Sequence, residues 1–194
     1  HCGAGNFSAT PGSSCTECSV GLYAKKDNTT CLGCPAGYWS NVTAVATVTD
    51  CVACGKGTYS SAEGVGSSVG CNACPPGKHS NVVGIDTSDK CKNCLRDEYN
   101  DGEAQEECKP CEDKFYQPKE GKTGCQQCIP GKQLSGTAGT LTCVACGAGN
   151  ISAAAGSLCT ECPVGLYANA EQNKCEACGA GKYSDIKGLV TINE

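Results

Sequence analysis

Cysteine is the residue type with which this chain of 194 residues could do chemistry, because 21 cysteines are present and twenty of them form ten CxxC pairs. Cysteines at this spacing form disulfides, hold zinc as thiolates or act as a redox couple. The pairs are Cys15/Cys18, Cys31/Cys34, Cys51/Cys54, Cys71/Cys74, Cys91/Cys94, Cys108/Cys111, Cys125/Cys128, Cys143/Cys146, Cys159/Cys162 and Cys175/Cys178, and Cys2 stands alone.

The composition favours disulfides among these three chemistries. The chain has few aromatic residues (5%) and no Met, and its hydrophobic fraction of 39% already counts the cysteines. A chain with so little apolar volume needs covalent cross-links to hold a fold. A cysteine content this high is typical of disulfide scaffolds made in oxidising compartments. We therefore expect an extracellular or cell-surface protein that needs no metal and no cofactor.

Zinc is the main alternative, since successive CxxC pairs are separated by 12 to 16 residues, close to the spacing of zinc ribbons. The thiolates would suffice for up to five four-cysteine sites. The lack of a basic surface, the regular position of the single Cys2 and four glycosylation sequons favour disulfides. A redox CxxC needs a lowered thiol pKa at the start of a helix, whereas ten equivalent pairs here lie in loop-like sequence.

Two disulfide schemes respect the repeat. The first joins the second cysteine of one pair to the first cysteine of the next, from Cys2–Cys15 to Cys162–Cys175, and leaves Cys178 for a downstream partner. The second interleaves neighbouring pairs and leaves Cys2 for an upstream partner. Interleaving should make loop lengths alternate, but the loops hold 12, 12, 16, 16, 16, 13, 13, 14, 12 and 12 residues in blocks. The lengths favour the first scheme, in which each bridge stabilises a loop of roughly 15 residues by about 3 kcal/mol.

The cysteines mark a small repeated module. We call each segment from the second cysteine of one pair to the first cysteine of the next a module, and number the modules from Cys2. Glycine follows the first cysteine of a module by three residues in nine of eleven modules, and an aromatic residue follows it by five in eight. The pattern predicts a tight turn or positive φ at the glycine and a ring packed on a disulfide. Asp97 and Lys114 replace the glycine, and His79, Gln133 and Ile151 replace the aromatic.

A longer repeat of 144 residues contains these modules. Cys2, Cys15, Cys18, Cys31 and Cys34 each have a counterpart 144 positions later, and 23 of the 39 residues from 2 to 40 are identical to their counterparts. We therefore predict one continuous tandem array over residues 1–194, with about eleven modules of which the first and last are incomplete. The super-repeat occupies residues 2–145 and begins again at residues 146–194, which predicts a longer parent protein or polymer.

The elements that must position these cysteines are predicted to be minimal. The loops are short, polar and rich in Gly, Ser, Thr and Asn, without helical periodicity. We expect little helix, and strand pairs of two to four residues closed by turns, as in the loop between Cys54 and Cys71.

Four sequons, at Asn6, Asn28, Asn41 and Asn150, predict N-glycosylation on a secretory route. Asn6 and Asn150 are the same position of the 144-residue repeat, which strengthens the prediction. The alternative is that these asparagines serve turn geometry alone.

Other chemistries find little support. The acidic stretch from Asp97 to Asp113 fails the EF-hand pattern, because Tyr99 and Cys108 stand at ligand positions, and we interpret it as a solvated acidic face. Only two histidines are present, and His79 is expected to pack on a bridge, so we predict no enzyme activity and no catalytic residue. A net charge of -5 indicates no nucleic-acid partner, and no apolar run in this segment is long enough to span a membrane.

The module resembles a known extracellular family. Cys34-Pro-Ala-Gly37-Tyr-Trp39 and Cys162-Pro-Val-Gly165-Leu-Tyr167 resemble the ephrin-receptor-like cysteine-rich repeat and the single-loop half of the tumour-necrosis-factor-receptor cysteine-rich domain. The resemblance implies an elongated ladder of single-loop disulfide modules with short β-hairpins, and it supports the first bridging scheme. The double-bridged half of the receptor domain is absent, so no receptor ligand-binding residue is transferred to this chain.

The repeats predict a structural role. Long arrays of this kind with sequons resemble protist and algal cell-surface coats and mastigoneme-type extracellular hairs, which implies a rod-like, N-glycosylated segment that associates with itself or with neighbouring repeats. The alternative is a receptor or adhesion ectodomain that binds a protein ligand through the diverged modules of residues 94–128. A binding patch should be unique along the array, whereas an assembly surface should recur with the repeat.

Overall fold

The computed structural model describes residues 1–183 and 185–189. The described chain forms two compact units, of which unit 1 comprises His1–Cys94 with Asn100–Cys108, and unit 2 comprises Leu95–Tyr99 with the described residues from Lys109 onward. The prediction of one continuous array stays a prediction.

Regular structure in the described part of the chain consists mainly of ten two-stranded antiparallel hairpins. In most of them the first strand ends at the aromatic position of a module. It pairs with the two residues inside the CxxC pair that closes the module, so the loop of the module connects the two strands. The hairpins are β1 (Asn6–Phe7) with β2 (Thr16–Glu17), β3 (Leu22–Tyr23) with β4 (Leu32–Gly33), β5 (Tyr38–Trp39) with β6 (Val52–Ala53), β7 (Thr58–Tyr59) with β8 (Asn72–Ala73), β9 (Lys78–His79) with β10 (Lys92–Asn93), β11 (Glu98–Tyr99) with β12 (Lys109–Pro110), β13 (Phe115–Tyr116) with β14 (Gln126–Gln127), β15 (Lys132–Ser135) with β16 (Thr142–Ala145), β17 (Asn150–Ile151) with β18 (Thr160–Glu161), and β19 (Leu166–Ala168) with β20 (Cys175–Ala177).

Helical structure among the described residues is limited to three short 3₁₀ turns in the long loops, Val48–Asp50, Ser68–Gly70 and Ser88–Lys90. Each turn directly precedes the cysteine that closes its module. No helix in the described part of the chain is long and apolar enough to cross a membrane.

Successive modules are joined by a repeated pair of backbone hydrogen bonds at the glycine. The Gly21 N–H donates to the Ser40 carbonyl at 2.8 Å, and the Gly21 carbonyl accepts from the Cys34 N–H at 2.8 Å. The same pair recurs at Gly37, with Ser60 and Cys54, again at 2.8 Å for each bond. The residue that accepts the glycine N–H directly follows the aromatic position, and Ser40, Ser60, Ser80, Asn100 and Ser152 are buried there.

The aromatic position packs against the following module, as the sequence predicts. In unit 1, Tyr59 lies against a buried cluster formed by Ile85 and the Cys74–Cys91 disulfide. Tyr59 also forms an isolated parallel bridge to Ile85. This small core is therefore one disulfide, one ring and one aliphatic side chain, so it needs few apolar residues.

Contacts between modules reach beyond the immediate neighbour. A Cβ atom built on Gly37 in module 3 would collide with the carbonyl group of Gly84 in module 5. Gly37 also has φ +85°, so it is required both by its backbone conformation and by this close approach. Contacts therefore reach the second neighbour, and the predicted disulfide-rich repeat ladder is confirmed.

Candidate functional site

The ten disulfides follow the first bridging scheme. Each links the second cysteine of one pair to the first cysteine of the next, with Cα–Cα distances from 5.5 to 5.9 Å; they are Cys2–Cys15, Cys18–Cys31, Cys34–Cys51, Cys54–Cys71, Cys74–Cys91, Cys94–Cys108, Cys111–Cys125, Cys128–Cys143, Cys146–Cys159 and Cys162–Cys175. These bridges occupy the sulfur atoms that four-cysteine zinc sites would need. Cys178 is partly buried and carries a free thiol.

The sequon asparagines lie at accessible positions. Asn41 is exposed, and Asn6, Asn28 and Asn150 are partly exposed. The Nδ2 atoms of Asn6 and Asn150 make equivalent local contacts, to the Ala4 carbonyl at 3.4 Å and the Ala148 carbonyl at 3.0 Å. Glycosylation at these four sites stays a prediction.

An exposed face recurs with the 144-residue repeat. In unit 1 it consists of Thr16 and Glu17 on β2 and of Val20, which is 43% exposed. We call it the recurring face. The identical residues in unit 2, Thr160, Glu161 and Val164, are also exposed, the valine by 51%.

The residue types of this face vary among the other modules. The two residues between paired cysteines are Leu32–Gly33, Asn72–Ala73 and Gln126–Gln127 in three of them, although the hairpins are the same. The hairpin geometry therefore does not demand Thr and Glu. The sequence alone shows that the residues of the recurring face are identical in the two units, but only the structure shows that their side chains face solvent.

The interpretation of the acidic stretch as a solvated face is wrong for Asp97. Asp97 stands at the glycine position with φ 63° and is only 4% exposed. In unit 2 its Oδ1 accepts the Gln117 N–H at 3.0 Å and its Oδ2 accepts the Leu141 N–H at 3.0 Å. The Asp97 carboxylate of module 6 thus contacts the backbone of module 8. In other modules a glycine stands at this position and lies close to the backbone of the second neighbour. Asp101, Glu103, Glu106, Glu107, Glu112 and Asp113 are exposed, as expected.

A cleft of about 440 Å³ lies beside Asp97 in unit 2, lined among others by Leu95, Arg96, Glu98 and Glu120. Arg96 is the only arginine of the chain. Among the described residues its Nε atom is buried without a hydrogen-bond partner. The sequence does show that the single arginine directly precedes Asp97, which replaces the repeat glycine. Arg96 was not among the predicted site residues.

His79 has a backbone partner at the aromatic position. Its Nδ1 atom lies 3.0 Å from the Glu106 carbonyl oxygen, so the tautomer with a proton on Nδ1 donates this hydrogen bond. The Glu106 carboxylate in turn lies 3.0 Å from the Lys56 ammonium, at the surface of unit 1. These contacts give His79 a structural partner in the next module.

Comparison with known proteins identifies the module. Residues 149–194 match the family model described as tyrosine-protein kinase ephrin type A/B receptor-like. A search of the curated proteins finds no match. The matched segment shares the 144-residue repeat with the start of the chain, so the similarity extends to residues 5–40 through the internal repeat. The disulfides and this similarity point to an extracellular or cell-surface location. The resemblance to the ephrin-receptor-like cysteine-rich repeat is confirmed for the matched segment, and the chain carries ten tandem disulfide-bonded cysteine-rich units. Together they suggest an extracellular receptor-like or structural module.

Proposed function

We propose that this chain is a repeat segment of a structural extracellular glycoprotein, which forms a cell-surface coat or a self-assembling fibre and has no catalytic role. The observation that carries the proposal is the recurring face. Identical exposed side chains at a spacing of 144 residues give each chain two copies of one surface. A protein with two identical self-complementary surfaces extends into a polymer instead of closing as a dimer, provided that their relative orientation leaves the assembly open.

The chemistry of the face suits weak, repeated association. Val20 and Val164 each expose an isopropyl group beside a threonine hydroxyl and a glutamate carboxylate. Such a face buries a small apolar centre within a polar rim. One contact of this size is weak, so assembly depends on many copies acting together. N-glycans at the four sequons would decorate the remaining surface.

Sedimentation velocity and electron microscopy of the glycosylated chain test this proposal. We expect concentration-dependent oligomers, and we expect the double variant Val20→Asp/Val164→Asp to remain monomeric because burying an unpaired carboxylate is costly. Val69→Asp and Leu158→Asp serve as controls, since these side chains are 89% and 72% exposed and lie outside the recurring face. Ser14 stands at the repeat position of Leu158. A chain that stays monomeric throughout, or a double variant that assembles like the controls, contradicts the proposal.

A second function, a receptor or adhesion ectodomain that binds a protein ligand through residues 94–128, is favoured by the cleft at Arg96. This cleft contains the only arginine of the chain and the buried Asp97, so it is unique along the sequence. The sequence of the parent protein separates the two functions. Near-identical copies of residues 94–128 elsewhere would favour the structural role, and a single copy would favour ligand binding.

A further inference from the structure

Two aromatic rings and a carboxylate line a cavity of about 230 Å³ in unit 2. Tyr99 belongs to module 6, and Glu112, Phe115 and Cys125 belong to module 7. We call the site formed by these four residues the aromatic cavity. It is smaller than the pockets of roughly 300–1,000 Å³ that enclose a small molecule, so it suits one side chain of a larger partner.

Phe115 stands directly before the aromatic position of its module. In module 2 the residue at this position is Leu22, and a Cβ atom built on Gly64, two modules further on, would lie 3.4 Å from its Cδ2 atom. In module 3 it is Tyr38, and a Cβ atom built on Gly84 would lie 3.1 Å from its hydroxyl oxygen. In unit 1, therefore, this side chain packs on the second-neighbour module.

In unit 2 the nearest contact at the corresponding glycine comes from Gln127 and not from Phe115. That glycine is Gly156, two modules after Phe115, and the three atoms nearest to a Cβ atom built there all belong to Gln127. The Phe115 ring instead lines the aromatic cavity and is partly exposed. Tyr99, which also lines the cavity, is likewise partly exposed. Both rings are therefore accessible to a partner.

The aromatic cavity attracts positive charge. The face of an aromatic ring is the negative part of its quadrupole, so it attracts cations. The Lys109 ammonium lies 5.8 Å from the centre of the Tyr99 ring, within the range of this attraction. The Glu112 carboxylate is exposed and has no hydrogen-bond or ion-pair partner within the described ranges. It is therefore available to pair with a cation at the cavity.

The segment around the aromatic cavity carries most of the net charge of the chain. Residues 94–128 contain nine acidic and five basic residues, against 20 and 15 in the whole chain. Four of the five net negative charges therefore lie in this segment. Such an excess attracts a basic partner and suppresses the approach of an acidic one.

We propose that the aromatic cavity binds a basic side chain, such as lysine, of a protein partner. The ammonium group pairs with the Glu112 carboxylate, and the methylene groups pack on the rings of Tyr99 and Phe115. This inference rests on the ligand-binding function considered above for residues 94–128 and names the chemistry of the partner. The aromatic cavity shares no residue with the recurring face, so the structural role does not depend on it.

NMR titration of the intact chain tests the site, with Nα-acetyl-lysine methylamide as the probe. We expect the ring signals of Tyr99 and Phe115 to shift. Nα-acetyl-norleucine methylamide has an unbranched alkyl side chain without the charge and should shift them much less. Methyl β-glucoside serves as a third probe, since aromatic rings beside a carboxylate could also bind a sugar.

Two carboxylate variants separate the cavity from the acidic segment around it. Glu112→Gln should weaken lysine binding about threefold, because it removes the charge at the cavity and keeps the size of the side chain. Asp113→Asn is the matched control, since Asp113 is also exposed but does not line the cavity, and it should leave the affinity unchanged. An equal loss in both variants, or no loss in Glu112→Gln, overturns the proposal.

The probes give the remaining outcomes. Unchanged ring signals with the lysine probe overturn the proposal. Equal shifts with norleucine would show a purely apolar cavity, and stronger shifts with the glucoside would show a carbohydrate site, so either result also overturns it. The copy number of residues 94–128 in the parent protein tests the ligand-binding function separately. A single copy together with no lysine binding would remove this site and leave that function.

Discussion

Replacing Asp97 by asparagine should loosen unit 2 at the hairpin of β15 and β16. The Asp97 carboxylate accepts two backbone N–H groups, from Gln117 and Leu141, each at 3.0 Å. In Asp97→Asn only one side-chain oxygen remains as an acceptor, and the new NH₂ group faces an N–H donor. Losing one hydrogen bond to a charged group and leaving a buried donor unsatisfied costs about 2 kcal/mol.

Hydrogen exchange at single amides measures this effect locally, which is appropriate for a repeat protein whose modules open separately. A change of about 2 kcal/mol corresponds to roughly 30-fold faster exchange. We expect this acceleration at the amide of Leu141 or of Gln117, whichever loses its acceptor. Amides of unit 1 act as the reference and should not change.

Lys114→Gly is the matched control for this variant. Lys114 stands at the same repeat position as Asp97, also with positive φ of 70°, but its side chain is exposed. Glycine removes left-handed strain there and adds freedom to the unfolded chain, so the two effects largely offset each other and the net change should stay within about 1 kcal/mol. Unchanged exchange at both Leu141 and Gln117 in Asp97→Asn, or an equal loss in Lys114→Gly, would refute the role assigned to the carboxylate.

Two further substitutions test the packing and the charges. Gly21 and Gly165 occupy the same repeat position with φ of 79° and 80°, but a Cβ atom would collide with the Gly64 carbonyl at the first and meet nothing described at the second. Gly21→Ala should therefore destabilise the protein by at least 1 kcal/mol more than Gly165→Ala in thermal unfolding; equal losses would contradict the close approach. A hydrogen bond from Lys90, 2.8 Å away, holds the pKa of Asp86 below its usual range. This contact stabilises the fold above the unfolded-state pKa of Asp86 and is lost as the pH falls through the folded-state value, so NMR titration of Lys90→Ala should show a raised Asp86 pKa, and an unchanged value would show that Lys90 is not its cause.

The sequence predicts the repeat, the disulfide ladder and the role of the aromatic position because these depend on local spacing. It does not predict that Gly37 meets Gly84, because that contact joins two modules separated by a third. It also misplaces Asp97: seven other acidic residues follow within the next sixteen, so this carboxylate is interpreted as solvated until its two N–H donors are known. Residues whose role depends on the second neighbour are therefore the ones that composition and spacing miss.

Asp97 also holds in place residues that line the cleft beside Arg96. The Leu141 amide that it holds belongs to the hairpin of β15 and β16, and Ala138 and Gly139 in the turn of that hairpin line the cleft together with Arg96. The side chain that replaces a glycine therefore supports one wall of the cleft that contains the only arginine. Elsewhere the repeat glycine brings backbones together and leaves no such space, as Gly37 and Gly84 show. The modules thus differ at this one repeat position: glycine there allows the close backbone contact, and Asp97 borders the cleft.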